Sequence, residues 1–89
     1  MEQLEREVYE FPTQIPLKVI GRNEDEFEAY VVDLFRAKVG AEEIASVSSH
    51  PSSGDTYLSV TVTFVARSRE QLDSIYAQLS ESKRVKIVI

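Results

Sequence analysis

The chain of 89 residues contains no cysteine, a single histidine and only three glycines. Without cysteine it has no disulfide, no thiolate metal ligand and no thiol nucleophile. His50 lies in a predicted turn beside Pro51, and the spacing supplies neither the orienting group nor the nucleophile that a general base needs. The glycines, at positions 21, 40 and 54, form neither a P-loop nor a dinucleotide-binding motif. These absences predict a protein that is not an enzyme, with no cofactor, no metal site and no catalytic residue.

Positive charge and long apolar runs are also scarce. The 15 acidic side chains outnumber the 10 basic ones, so the net charge is −5. This disfavours nucleic acids and anionic membranes, because affinity for phosphate comes from cations. The first ten residues are acidic and lack the apolar run of a signal peptide or membrane span. We therefore expect a cytoplasmic protein with an acidic lead-in over residues 1–10 and one domain over residues 11–89.

The periodic segments follow one another as strand, helix, strand, strand, helix and strand. Apolar alternation predicts strands over residues 17–20, two within 44–66, and one over 84–89; helical spacing predicts helices over 24–38 and 70–79. This order is typical of the ferredoxin-like βαββαβ plan. The expected class is α+β, a two-layer sandwich with a four-stranded antiparallel sheet and two helices on one face. Because this fold hosts many functions, its function must be argued from particular sites.

Finer features of the elements also follow from local patterns. Asn23 and Ser68 are the expected N-caps of the two helices, with Glu26 and Gln71 three residues later at the capping-box position. Alternation in the last strand predicts that three side chains point inward, namely those of Val85, Ile87 and Ile89.

The sheet face that the helices leave uncovered is a candidate interaction face. The residues assigned to it are Lys18, Tyr57, Ser59, Thr61 and Lys86. A partner protein would contact this face or add a strand along the serine-rich edge over residues 44–49. A solvated surface with scattered apolar side chains explains the same pattern. RNA binding is not expected, because Tyr57 is the one aromatic side chain offered for base stacking.

A candidate anion site involves the segments that precede the two helices. We expect the first and third strands to be parallel neighbours, which would bring the turn of Gly21, Arg22 and Asn23 close to Arg67 and Arg69. Two helix N-termini and these guanidinium groups would then hold a carboxylate or a phosphate. Pairing of the arginines with the acidic residues at positions 24–26 is the simpler explanation.

Three stretches together resemble the YbeD-like family of small bacterial proteins of unknown function. They are EFPT and PLKVIG within residues 10–21, PSSGDTYLSVT at 51–61, and YAQL at 76–79 followed by VKIVI at 85–89. The resemblance implies a ferredoxin-like domain similar to the ACT regulatory domain. ACT domains bind amino acids at the first strand–helix turn, usually across a subunit interface, and the matching position here is Gly21-Arg22-Asn23.

Two hypotheses follow from the residues and the resemblance together. The first is a non-enzymatic regulatory module that binds a small anionic metabolite or acts on a partner protein. The alternative is a pure protein–protein interaction domain that uses the open sheet face or the edge strand and takes no small ligand. A homo-oligomer is compatible with both.

Overall fold

The computed structural model describes residues 9–89. Its strands and α-helices follow one another in the predicted βαββαβ order. They are β1 (Thr13–Arg22), α1 (Phe27–Arg36), β2 (Ile44–Pro51), β3 (Tyr57–Ala66), α2 (Arg69–Glu81) and β4 (Val85–Val88). Short 3₁₀ turns at Ala41–Glu43 and Ser53–Asp55 precede β2 and β3. Residues 1–8 of the predicted lead-in lie outside the described part of the chain.

The four strands form one antiparallel sheet in the order β2-β3-β1-β4. Along β1 and β3, Thr13 lies opposite Ala66 and Arg22 lies opposite Tyr57. The expectation that these two strands are parallel neighbours is therefore wrong. Each helical crossover joins two parallel strands with a third strand inserted between them, so every pair of adjacent strands is antiparallel. We call the side where β1 ends the Arg22 end of the sheet, and the side where β3 ends the Arg67 end.

Both helices pack on one face of this sheet, as predicted. Alternate residues of β1 and β3 and one stripe of each helix form a single buried core, since strands repeat every two residues and helices every 3.6. The rings of Phe35 and Phe64 meet edge to face at 5.2 Å between centroids. The buried side chains are Ile15, Leu17, Val19, Phe27, Val31, Phe35, Val39, Val60, Val62, Phe64, Ala66, Leu72, Ile75 and Leu79.

Strand β4 departs from the predicted alternation. Val85 lies opposite Gly21, but Ile87 lies opposite Ile20, so Lys86 is an additional residue at a register shift. A bulge of this kind reverses which side chains face the core. Val85 and Val88 consequently pack against the core, whereas Ile87 is 52% exposed and Ile89 is 65% exposed. The prediction that Ile87 and Ile89 point inward is wrong.

Helix α2 begins with the predicted cap. The Ser68 side chain accepts a hydrogen bond from the Gln71 N–H at 3.1 Å. In return, the Gln71 side chain accepts from the Arg67 N–H at 2.7 Å, one residue before the cap. Because both partners are close in sequence, the local pattern was sufficient to predict this helix start.

Helix α1 begins at Phe27, later than predicted, and Asn23 does not cap it. The residue before the helix is Glu26, which has a left-handed φ of 54° and makes no side-chain capping bond. Asn23 instead bonds to the β2–β3 hairpin, through its N–H to the Thr56 carbonyl at 2.9 Å and through its amide to the Asp55 carbonyl at 3.3 Å. A tertiary contact thus replaces the local cap.

Within residues 9–89, neither helix has the length and apolar composition that crossing a membrane requires.

Candidate functional site

The arginines of the predicted anion site lie at opposite ends of the sheet. Arg22 ends β1, whereas Arg67 and Arg69 follow the end of β3, and the two ends are separated by the length of a ten-residue strand, about 30 Å. The site predicted from Gly21, Arg22 and Asn23 together with Arg67 and Arg69 is therefore not formed. Its premise, that β1 and β3 run parallel, is contradicted by their antiparallel pairing.

At the Arg67 end both arginines have partners within the fold. The Arg67 guanidinium lies 2.6 Å from the Glu43 carboxylate. This hydrogen bond raises the pKa of Arg67 above its ordinary value. Arg69 lies over the Phe11 ring, 5.7 Å from its centroid. These contacts account for the two arginines as structural residues.

At the Arg22 end an open pocket of about 140 Å³ is lined mainly by cations. Three segments that adjoin the β1–β4 strand pair supply its residues. They are Arg22 and Glu24 from the end of β1 and the loop after it, Lys83 and Arg84 from the turn before β4, and Lys86 from the register shift in β4. We call this set the basic pocket. It holds four cations and one carboxylate.

The carboxylate of the basic pocket belongs to Glu24 and lies 3.7 Å from the Arg22 guanidinium. Both side chains are more than half exposed. An exposed pair at this distance contributes little to stability, about 0–1 kcal/mol. An incoming anion can therefore displace Glu24 from Arg22 at small cost.

Arg84 is the ordered cation of the basic pocket. Its Nη2 donates hydrogen bonds to the carbonyl oxygens of Glu24 at 2.7 Å and Asp25 at 3.0 Å. Its guanidinium also lies over two rings, 4.4 Å from the centroid of Tyr30 and 5.7 Å from that of Phe27. Hydrogen bonds and ring contacts together hold the planar group in one orientation.

Gly21 allows the segments around the pocket to approach one another. A Cβ at this position would overlap the carbonyl oxygen of Arg84 and the ring of Phe27. The turn before β4 is also joined to α1, because the Tyr30 hydroxyl lies 2.6 Å from the Ser82 hydroxyl. Gly21 thus shapes the site without offering a ligand-binding side chain.

The predicted ligand-binding residues therefore have different positions relative to the basic pocket. Arg22 lines the basic pocket, Gly21 packs beside it, and Asn23 bonds to the hairpin instead. Lys83 and Arg84 were missed by the sequence reasoning. Antiparallel pairing of β1 with β4 was the signal that would have found them, because it places the start of β4 beside the end of β1.

The open sheet face carries most of the predicted interaction residues. Lys18 lies opposite Thr61 and exchanges backbone hydrogen bonds with Ile89 at 2.8 and 3.1 Å. Ser59 and Tyr57 occupy the corresponding outward positions on β3. Lys86, assigned to this face from the sequence, lines the basic pocket. Binding of a partner to this face stays a prediction.

The structure also shows the positions of His50 and of the side chains that could bind a metal ion. His50 lies on β2, opposite Ser59 on β3, and β3 and β1 separate it from β4. It is therefore in a strand rather than the predicted turn and lies away from the basic pocket. Within the described residues 9–89, no cluster of three or more His, Cys, Asp or Glu is arranged for a metal ion.

Comparisons with known proteins agree with the predicted family and fold. A family model described as "Protein of unknown function (DUF493)" matches residues 6–89. The chain is 37% identical over 89 residues to a UPF0250 protein of Paraburkholderia phytofirmans, with full coverage of both chains. It is also 37% identical over 91 residues to a UPF0250 protein of Chromobacterium violaceum, again with full coverage of both. These matches confirm the resemblance to a bacterial family of unknown function.

Solved structures show the same backbone plan. The ACT domain from GTP pyrophosphokinase of Chlorobium tepidum superposes with a TM-score of 0.67 and 10% identity, covering 85% of this chain and 94% of that one. The C-terminal domain of the MgtC protein from Mycobacterium tuberculosis superposes with a TM-score of 0.66 and 20% identity, covering 92% and 89%. At such identities the likeness shows the ferredoxin-like, ACT-like fold alone.

Proposed function

The chain belongs to the DUF493 family of proteins of unknown function, and from that premise we propose that it is a non-enzymatic regulatory module that binds a small anionic metabolite in the basic pocket. The observation that carries the proposal is the convergence of four cations around one carboxylate in a chain whose net charge is −5. A concave cluster of one sign concentrates the field and attracts ligands of the opposite charge.

The surroundings of the pocket favour binding over catalysis. Its residues are arginine, lysine and glutamate, and two strands separate His50 from β4. Cations of this kind bind carboxylates and phosphates through charge-assisted hydrogen bonds. Because Arg84 also holds the loop after β1, a bound anion would be coupled to the start of α1. The cytoplasmic location stays a prediction.

A thermal-unfolding screen against carboxylates, phosphates, nucleotides and amino acids tests the proposal. A ligand at 100 times its Kd adds about 2.7 kcal/mol to the free energy of unfolding, and each kcal/mol moves the Tm by roughly 4–8 °C for a domain of this size. We expect a stabilising anion whose effect is lost in the double variant Lys83→Gln/Lys86→Gln.

The matched control removes two cations from the Arg67 end. Arg36 and Lys38 are exposed near the end of α1, so Arg36→Gln/Lys38→Gln changes the net charge equally and leaves the basic pocket intact. It should retain the ligand effect. A flat screen, or a Tm shift that survives in the pocket variant, would contradict the proposed function.

A second candidate, a protein-interaction module, is favoured by a separate observation. The register shift in β4 turns Ile87 and Ile89 outward, where they are 52% and 65% exposed. They join half-buried Ile20 beside Lys18 on the open face. Exposed apolar patches on small domains mark interaction surfaces when they are contiguous. We propose that the partner that binds this face is a second copy of the chain.

Sedimentation equilibrium over a range of protein concentrations tests this candidate. Self-association is expected in the parent chain and should be lost in Ile87→Asp/Ile89→Asp. The control is Tyr76→Ser, which removes a side chain of 39% exposure from α2 and should leave association unchanged. A parent chain that stays monomeric at every concentration would exclude the second copy as the occupant.

A further inference from the structure

We infer that the ligand of the basic pocket is a compact dianion, of the class of inorganic phosphate or a short dicarboxylate, rather than a zwitterionic amino acid. The inference rests on the proposed function, because it names the ligand class of the same pocket. Charge balance and the hydrogen bonds already made beside the pocket favour a dianion over a zwitterion, and the small volume suits a compact group.

The charge balance of the pocket calls for two negative groups. Glu24 offsets Arg22, from which it lies 3.7 Å away. The remaining cations are Lys83, Arg84 and Lys86, which no other acid of the pocket lining offsets. A ligand with two negative charges neutralises most of this surplus, whereas the ammonium group of an amino acid would be placed among like charges.

The hydrogen-bond acceptors beside the pocket already face its cations. The carbonyl oxygens of Glu24 and Asp25, in the loop beside the pocket, accept hydrogen bonds from Arg84 Nη2. The Glu24 carboxylate faces Arg22. Donors, in contrast, remain available. Both side-chain hydrogen bonds of Arg84 within residues 9–89 use Nη2, so Nε and Nη1 keep their hydrogens for a ligand. The pocket is therefore rich in donors and poor in acceptors.

The ordering of Arg84 strengthens it as an anchor for the anion. Its guanidinium lies over Tyr30 and is held by two carbonyl groups, so binding does not require a long flexible side chain to be immobilised. This preorganisation lowers the entropic cost of association. Lys83 and Lys86 are exposed and supply the second, adjustable part of the charge.

The volume of the pocket suits a ligand group of a few non-hydrogen atoms. It measures about 140 Å³, whereas sites for drug-sized ligands span roughly 300–1,000 Å³. Since a water molecule takes about 30 Å³ of the liquid, the space corresponds to a handful of water molecules. A phosphate ion or a four-carbon dicarboxylate fits within this space.

Isothermal titration calorimetry with four probes at pH 7.5 and constant ionic strength tests the ligand class. The probes are inorganic phosphate and succinate as dianions, acetate as a monoanion, and alanine as a zwitterion. We expect phosphate, succinate or both to bind at least tenfold more tightly than acetate and alanine. Comparing the two dianions distinguishes a tetrahedral from an extended ligand.

Variants separate this inference from the proposed function. Lys86→Gln should weaken binding of the dianion about tenfold, and Lys38→Gln, an exposed lysine at the Arg67 end, should leave it unchanged. Alanine or acetate binding as tightly as the dianions, with the same sensitivity to Lys86→Gln, would overturn the dianion and leave the proposed site intact. Binding of no probe overturns the dianion, and the proposed function falls with it only if the broader thermal screen is also flat.

Discussion

At the Arg67 end of the sheet each arginine has a partner within the fold, whereas at the Arg22 end four cations share one carboxylate. Arg67 is bonded to Glu43 and Arg69 lies over Phe11. The basic pocket has Glu24 alone to balance its cations. Arginines that precede helices in similar ways along the sequence therefore have different roles, and the difference depends on which segments the sheet places beside them.

Strand direction is the physical cause of this difference. The 3₁₀ turn that contains Glu43 leads into β2, and β2 pairs with β3 so that Ile44 lies opposite Phe64. An acid thus meets Arg67 where β3 ends. At the other end of the sheet β4 begins beside the end of β1, and the residues around its start are basic. Predictions that compare matched changes at the two ends test this contrast.

The largest difference in stability is expected between alanine substitutions at two glycines. Gly21→Ala should lower the free energy of unfolding by about 1–3 kcal/mol, because the new Cβ overlaps backbone and a buried ring that cannot move freely. Gly40→Ala should change it by less than about 0.5 kcal/mol, since the atoms nearest to the Cβ there belong to the flexible side chain of Glu42. Urea denaturation measures both. Equal stabilities for the two variants would show that Gly21 is not a point of close packing.

Substitutions at the two helix starts should change the free energy of unfolding in opposite directions. Ser68→Ala removes the capping oxygen of α2 and should lower the free energy of unfolding by about 1 kcal/mol. Glu26→Gly, before α1, should raise it by about 0.5 kcal/mol, because a left-handed φ of 54° strains a residue with a side chain and not glycine. Urea midpoints at constant m-value give the sign of each change. A loss of stability in both variants would contradict the assignment of strain to Glu26.

The smallest difference in stability is expected between methionine substitutions at two arginines. Arg84→Met should lower the free energy of unfolding by about 1 kcal/mol, because it loses two hydrogen bonds and two ring contacts. Arg67→Met should lower it by less, since its ion pair is exposed and screened by solvent.

The salt dependence of these two substitutions further distinguishes the two arginines. In 1 M NaCl the effect of Arg67→Met should shrink, because ions screen an exposed pair, while most of the effect of Arg84→Met should persist. Chemical denaturation with urea at low and high salt measures both. Equal losses at both salt concentrations would mean that Arg84 is no better ordered than Arg67.

Predictions from the sequence succeeded where the relevant partners are close along the chain. The alternation of Val60, Val62 and Phe64 identified their buried face, and Ser68 was identified as a cap because Gln71 is three residues away. Predictions failed where the partner is distant. Asn23 bonds to Asp55, which is 32 residues away, and no local pattern indicates that contact.

The sequence by itself determined the order of the elements, the buried face of each long element and the absence of thiol chemistry, because these depend on composition and on local periods of 2 and 3.6 residues. Only the tertiary structure decided where charge accumulates. Antiparallel pairing separated Arg22 from Arg67, and the register shift in β4 moved Lys86 to the basic pocket and Ile87 to the surface. Which strands lie beside each other and in what register are properties of paired strands, so they depend on long-range hydrogen bonds that the separate segments do not encode.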